Sequence, residues 1–94
     1  MFGKRKDANQ LQIERALRKC GCSVKDLSAV GEGFVDLAVG YKKKNYLFEV
    51  KDGRKSPSQR KLTPAQIKLH ATWQGKIYII KSFEDACKIL KIKL

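Results

Sequence analysis

Residues 35–51 read Val35-Asp36-Leu37-Ala38-Val39-Gly40-Tyr41-Lys42-Lys43-Lys44-Asn45-Tyr46-Leu47-Phe48-Glu49-Val50-Lys51. Two short runs rich in β-branched and aromatic residues, 35–39 and 46–51, are separated by the turn formers Gly40 and Asn45. Asp52-Gly53 follows, so the stretch predicts two strands joined as a hairpin. Charge is what looks out of place: Asp36, Glu49 and Lys51 lie inside these strands. An ionised side chain among apolar neighbours costs free energy unless something pairs with it. Two carboxylates brought together repel, and one is driven to hold a proton. A divalent cation relieves both problems, because Asp and Glu oxygens are its natural hard ligands.

The two-residue period of a strand sharpens the geometry. Leu47, Glu49 and Lys51 project to one face of the second strand, and Tyr46, Phe48 and Val50 to the other. Asp36 lies opposite Val35, Leu37 and Val39, whose apolar face is the expected core. The connection from Gly40 to Asn45 lets Asp36 and Glu49 meet across adjacent strands. One register puts all three polar groups on a common face.

Working outward, Asp7 is placed to cap a helix over 8–20, with Gly21 closing it. Leu11, Ile13, Ala16, Leu17 and Cys20 supply its apolar positions. A strand over 23–30 and a glycine turn at Gly31 to Gly33 lead into the hairpin. Residues 52–61 (DGRKSPSQRK) have the composition of a polar loop. Thr63-Pro64-Ala65-Gln66 carries a capping-box pattern with proline at the first helical position. That helix carries Ile67, Leu69, His70 and Trp73 and stops at Gly75. Residues 76–81 contain Ile77-Tyr78-Ile79-Ile80, a buried strand by composition, and Ser82 caps a last helix through Leu90. The order is αβββαβα, one α/β domain over residues 1–94 with a basic arm at 1–7.

The pair Gly33-x-Val35-Asp36 and Glu49-Val50-Lys51 resembles the PD-(D/E)xK nuclease superfamily. The fuller run GEGFVDLAVG…NYLFEVKDG…LTPAQIKLH is similar to small stand-alone VRR-NUC proteins, many of them from bacterial viruses, and the resemblance spans residues 7–90. It departs at Val35, where proline is usual; proline shapes backbone there but ligates nothing. The resemblance implies a restriction-endonuclease-like αβββαβ core, with a mixed central sheet flanked by helices and a C-terminal helix added. It implies magnesium, with manganese also supporting activity, held by Asp36, Glu49, the Val50 carbonyl and, through water, Glu14. It places Lys51 and Gln66 beside the metal as catalytic residues. Small relatives of this layout resemble Holliday-junction resolvases acting on branched DNA as homodimers.

Each candidate has a plain competitor. Asp36 can be a turn residue bonding its own backbone, and Glu49 with Lys51 a ladder on an exposed sheet face. Glu14 can form a surface pair with Arg18 at i,i+4, or serve as the additional ligand. The capping box with Thr63 accounts for Gln66 by itself, and a site role is compatible with it. His70, one turn on, either packs beside Leu69 and Trp73 or contacts phosphate. Trp73 is expected in the core rather than as a base-stacking platform.

The formal charge is +12, from 21 Lys and Arg against 9 Asp and Glu. Such an excess favours polyanions, nucleic acid first among them. Lys42, Lys43 and Lys44 at the hairpin tip, and Arg54, Lys55, Arg60 and Lys61 in the loop after the site strand, are the expected phosphate contacts together with His70. Flexible lysines of this kind grip backbone without reading bases. Nothing approaches the ~20 apolar residues of a membrane span, and no secretory leader is read. Cys20, Cys22 and Cys87, an odd number, suggest reduced thiols in a cytoplasmic compartment, and their spacing does not suit zinc. The expectation is a metal-dependent DNA endonuclease selective for branched DNA, without a membrane or small-molecule partner. The alternatives are a nicking or flap nuclease, or a non-catalytic DNA-binding module.

Overall fold

The computed structural model describes residues 8–53 and 61–94. In chain order the elements are α1 (Ala8–Lys19), β1 (Ser23–Asp26), β2 (Leu37–Tyr41), β3 (Lys44–Val50), α2 (Pro64–Thr72), β4 (Tyr78–Ile80) and α3 (Phe83–Leu90). The αβββαβα order is therefore observed. The four strands form one sheet in the order β1-β2-β3-β4, with antiparallel pairing throughout except that β4 runs parallel to β3. A parallel neighbour needs a crossover, and the chain through α2 supplies it. This mixed sheet with flanking helices is the architecture expected from the sequence.

The apolar alternation explains which way the sheet faces. Leu37, Val39, Phe48, Val50 and Ile80 join Ile13 and Leu17 of α1 and Ala86 and Leu90 of α3 in one buried cluster. Removing such side chains from water is the main favourable term in the fold. Glu49 alternates with Phe48 and Val50, so it points to the opposite face, where α2 sits. Unlike α1 and α3, α2 makes few close backbone contacts with another helix or strand among the described residues. It is seated on the segment before β2 instead. Gly33, at φ +74°, leaves room for Ala65: a Cβ there would stand 2.7 Å from the Ala65 Cβ. Phe34 meets Trp73 edge-on at 5.6 Å between ring centroids.

Four local expectations are corrected. The first strand ends at Asp26 rather than running to residue 30, because Asp26 Oδ1 accepts the Ser28 N–H at 2.8 Å and turns the chain. The hairpin is tighter than a 40–45 connection: β2 runs on to Tyr41, β3 starts at Lys44, and Lys42 and Lys43 alone form the turn at φ 50° and 68°. Two positive φ values are the pattern of a type I′ turn, whose twist matches the strands. The strand over 76–81 shrinks to Tyr78–Ile80 at the sheet edge, where Ile79 is 48% exposed. Lastly, α2 ends at Thr72, and Trp73, in extended conformation, is 41% exposed rather than core. An edge strand covers only one side of itself, and sequence periodicity does not reveal which strand is the edge.

Candidate active site

Asp36 lies where the β2–β3 ladder slips. Leu37 pairs with Phe48, yet the Asp36 N–H also donates to the Phe48 carbonyl at 3.0 Å, and the Asp36 carbonyl accepts from Leu27 N–H at 2.8 Å. The slip breaks alternation, so Val35, Asp36 and Leu37 are all buried. Asp36 Oδ2 accepts the Val50 N–H at 2.7 Å, which places this carboxylate against the backbone of the residue after Glu49. The slip, rather than an unbroken alternation, brings Asp36 to the end of β3.

Gln66 joins the rest. Its Nε2 donates to Glu49 Oε2 at 3.1 Å, and its Oε1 accepts from Lys51 Nζ at 3.0 Å and from the Thr63 N–H at 2.9 Å. The Gln66 N–H in turn donates to Thr63 Oγ1 at 3.2 Å, completing the capping box. An ammonium and a backbone N–H can only donate, and an ionised carboxylate can only accept, so these partners fix which end of the amide faces which. Capping and site contact are one arrangement. Lys51 Nζ stands 3.9 Å from Glu49 Oε2, and its side chain retains 15% exposure while Glu49 is 1% exposed. The ammonium therefore sits at the mouth of the site, with the carboxylate behind it.

Helix α1 approaches from the core side. Asn9 Nδ2 donates at 3.4 Å to the carbonyls of Lys51 and Lys81. Gln10 Nε2 donates to Glu14 Oε2 at 3.2 Å, and Arg18 reaches Glu14 Oε1 at 3.6 Å. The Arg18 pair expected on the surface does form, but Glu14 is buried at 3% exposure, so it is no surface pair. Asn9, Gln10 and Asp52 are buried polar residues that the sequence reading missed. The available signal was helical spacing: Gln10, Ile13, Glu14 and Leu17 fall on one face.

His70 is half-buried. Burial, and then the positive charge of Lys51, push its pKa below the usual histidine value, so the ring is neutral at pH 7 and within electrostatic reach of Lys51. Its Nε2 is buried without a hydrogen-bond partner among the described residues. Not every expected cation joins this group. Lys42, Lys43 and Lys44 are exposed at the hairpin tip, five strand residues or roughly 17 Å from Glu49. Lys42 lies over the Tyr41 ring at 5.4 Å. Lys61 is exposed just ahead of α2, while Arg54, Lys55 and Arg60 fall outside the described residues, as does the arm at 1–7.

Asp36, Glu49 and Gln66 are each less than 5% exposed, and the Lys51 side chain, at 15%, reaches solvent. A hollow of about 640 Å³ lies nearby, lined by Asn9, Asp52, Ser82 and Asp85 among others, but none of Asp36, Glu49, Lys51 or Gln66 lines it. Among the described residues, no three His, Cys, Asp or Glu side chains converge as a metal-binding group. Magnesium characteristically takes one or two carboxylates and fills its remaining positions with water. Asp36 and Glu49 are a donor set of that kind. No described helix is long and apolar enough to cross a membrane.

No family model and no curated protein sequence matches the chain. A solved structure described as a VRR_NUC domain superposes with a TM-score of 0.62, covering 90% of this chain and 92% of that one at 23% identity. The chain thus has a fold similar to that of a VRR_NUC domain.

Proposed function

We propose that this chain is a magnesium-dependent DNA endonuclease of the PD-(D/E)xK type, acting on branched DNA. The observation that supports it best is the group at the end of β3 on a VRR_NUC-like fold, with Glu49 and Lys51 joined by Gln66 and Asp36 bonded to the Val50 N–H between them. The charge of +12 suits a polyanion.

Asp36, Glu49 and the Val50 carbonyl would hold the metal, with Glu14 contributing through water. When bound, it supplies polarisation of a phosphoryl oxygen and a water of lowered pKa. Lys51 has three N–H donors, of which Gln66 Oε1 takes one. The remaining two can orient the attacking water and offset charge growing on the phosphate oxygens. Gln66 keeps Lys51 and Glu49 at fixed separation, so neither has to reorganise as the bond breaks. His70, neutral at pH 7, can exchange a proton at the edge of the site.

Two strands cut at a junction need two such groups, and a homodimer supplies the second. The test is labelled linear duplex, flap and four-way junction, each incubated with and without Mg²⁺, alongside light scattering of the junction complex. Paired cuts in a complex of two chains on the junction are expected. A single cut by one chain favours a nickase, and binding without cutting of any substrate favours a non-catalytic module.

A further inference from the structure

At the other end of α2 from Gln66, a groove of about 830 Å³ runs past Trp73 and the sheet edge. Three lysines line it, Lys44, Lys76 and Lys91, each exposed, and no carboxylate does. Its floor is aromatic and apolar: Tyr46 and Tyr78, with ring centroids 6.1 Å apart, Leu47 and Ile89. Trp73 stands at the rim with 41% of its surface in water, steadied edge-on by Phe34. The depression thus sets exposed cations and the exposed Trp73 beside half-buried tyrosines whose other contacts are with the core.

We propose that this groove binds an unpaired stretch of the DNA on which the chain acts, its bases stacking on Trp73 and its phosphates seated on Lys44, Lys76 and Lys91. The proposal deepens the nuclease reading and rests on it for the identity of that DNA. Aromatic faces accept any base once it is out of a duplex, and lysines follow the backbone; together they define a single-strand site. Duplex offers no free base faces to Trp73. The groove also leads toward the cutting site. Leu47 lies on the same strand face as Glu49, two residues or roughly 7 Å away. Trp73 lies seven residues along from Gln66, roughly 10 Å at a helical rise. A strand with one phosphate at Lys51 therefore reaches Trp73 within a few nucleotides, which makes the groove a reader of the open strand beside a branch.

Trp73 is the single tryptophan, so its emission reports on this groove alone. Titration with a short oligo(dT) in chelator, where no cutting interferes, is expected to quench that emission, whereas a blunt duplex of equal phosphate content leaves it nearly unchanged. The variant Lys76→Gln/Lys91→Asn, with Asn chosen to tolerate φ 61° at position 91, removes two phosphate contacts. Its salt dependence for oligo(dT) should fall by about 1.4 in log–log slope. Trp73→Ala should weaken oligo(dT) binding roughly five-fold or more. Oligo(dT) that binds without quenching Trp73, or an unchanged slope in the lysine variant, overturns the proposal. So does emission that shifts with protein concentration in the absence of DNA, which would mean a second copy fills the groove. Cutting in Mg²⁺ is read separately. A chain that cuts yet shows no quenching refutes the groove alone, and a chain that shows quenching and the lower slope yet never cuts refutes the nuclease reading alone.

Discussion

Replacing Gln66 with Glu changes one atom and tests the centre of the site. The new carboxylate keeps the acceptor that Lys51 and the Thr63 N–H use, but it turns a donor 3.1 Å from Glu49 Oε2 into a second negative oxygen. At that separation, with an effective dielectric of ~20, the repulsion is about 5 kcal/mol. Lys51, within 3.9 Å of Glu49 Oε2 and 3.0 Å of position 66, offsets the repulsion by a similar amount. One ammonium cannot neutralise two carboxylates at positions 1% and 4% exposed, however, and burial itself favours the protonated form. A net rise of about two pKa units for the pair remains, worth roughly 3 kcal/mol. A carboxyl whose folded pKa is raised binds its proton more tightly folded than unfolded, so stability falls as pH rises. The loss begins near the unfolded value of about 4.3 and is complete roughly two units higher. Thermal unfolding of both proteins in chelator, from pH 4.5 to 8, should therefore show their Tm values separating by roughly 10 °C as pH rises. A Tm difference flat across that range would refute the idea that residue 66 faces Glu49.

Three further outcomes follow from the same geometry. Asp36→Asn and Glu49→Gln preserve shape and one acceptor oxygen while removing charge, so Mg²⁺-dependent cutting should fall below detection with DNA affinity within a few-fold of wild type, since affinity resides in phosphate contacts; gel cleavage and anisotropy report the two, and normal cutting by Glu49→Gln would end the assignment. Gly33→Ala forces a Cβ into a left-handed backbone and to within 2.7 Å of Ala65. It should cost about 2 kcal/mol or more, roughly 8 °C in Tm, and a Tm within 2 °C of wild type would show that α2 is seated differently. His70 has a lowered pKa, so its neutral form contributes stability that is present above about pH 6.5 and lost on acidification below it. Lys51→Met removes the second cause of that lowering, so NMR titration should find the His70 pKa raised, and an unmoved value would separate the two residues.

The order αβββαβα was legible because its signals are local: alternation in 35–39 and 46–51, glycine punctuation, and the Thr63–Gln66 cap. Asp36, Glu49 and Lys51 announced themselves as charges where apolar residues belong. What the sequence hid is non-local. The resemblance put Gln66 at the site, but its bridge between Glu49 and Lys51 depends on where α2 lies against the sheet, which a capping box does not reveal. The ladder slip that buries Asp36 beside Val35 and Leu37 overrides the period of two. Ile79 and Trp73 read as core because composition cannot say that β4 is an edge or that the chain leaves α2 at residue 73.

The way α2 is attached has a consequence for how the site comes into being. A helix buried by apolar contacts stays docked until the whole domain melts, but the described contacts of this one are in good part polar and local: Gln66, the Gly33 notch and the Phe34–Trp73 edge. Its detachment is therefore a local event that leaves the β-sheet and the other helices intact, and its amides should exchange with solvent sooner than those of β3. Whatever binds Glu49 and Lys51 also engages the partners of the latch. Ligand occupancy and helix docking share one free energy, so a ligand that binds better when Gln66 is in place shifts the helix toward its docked state.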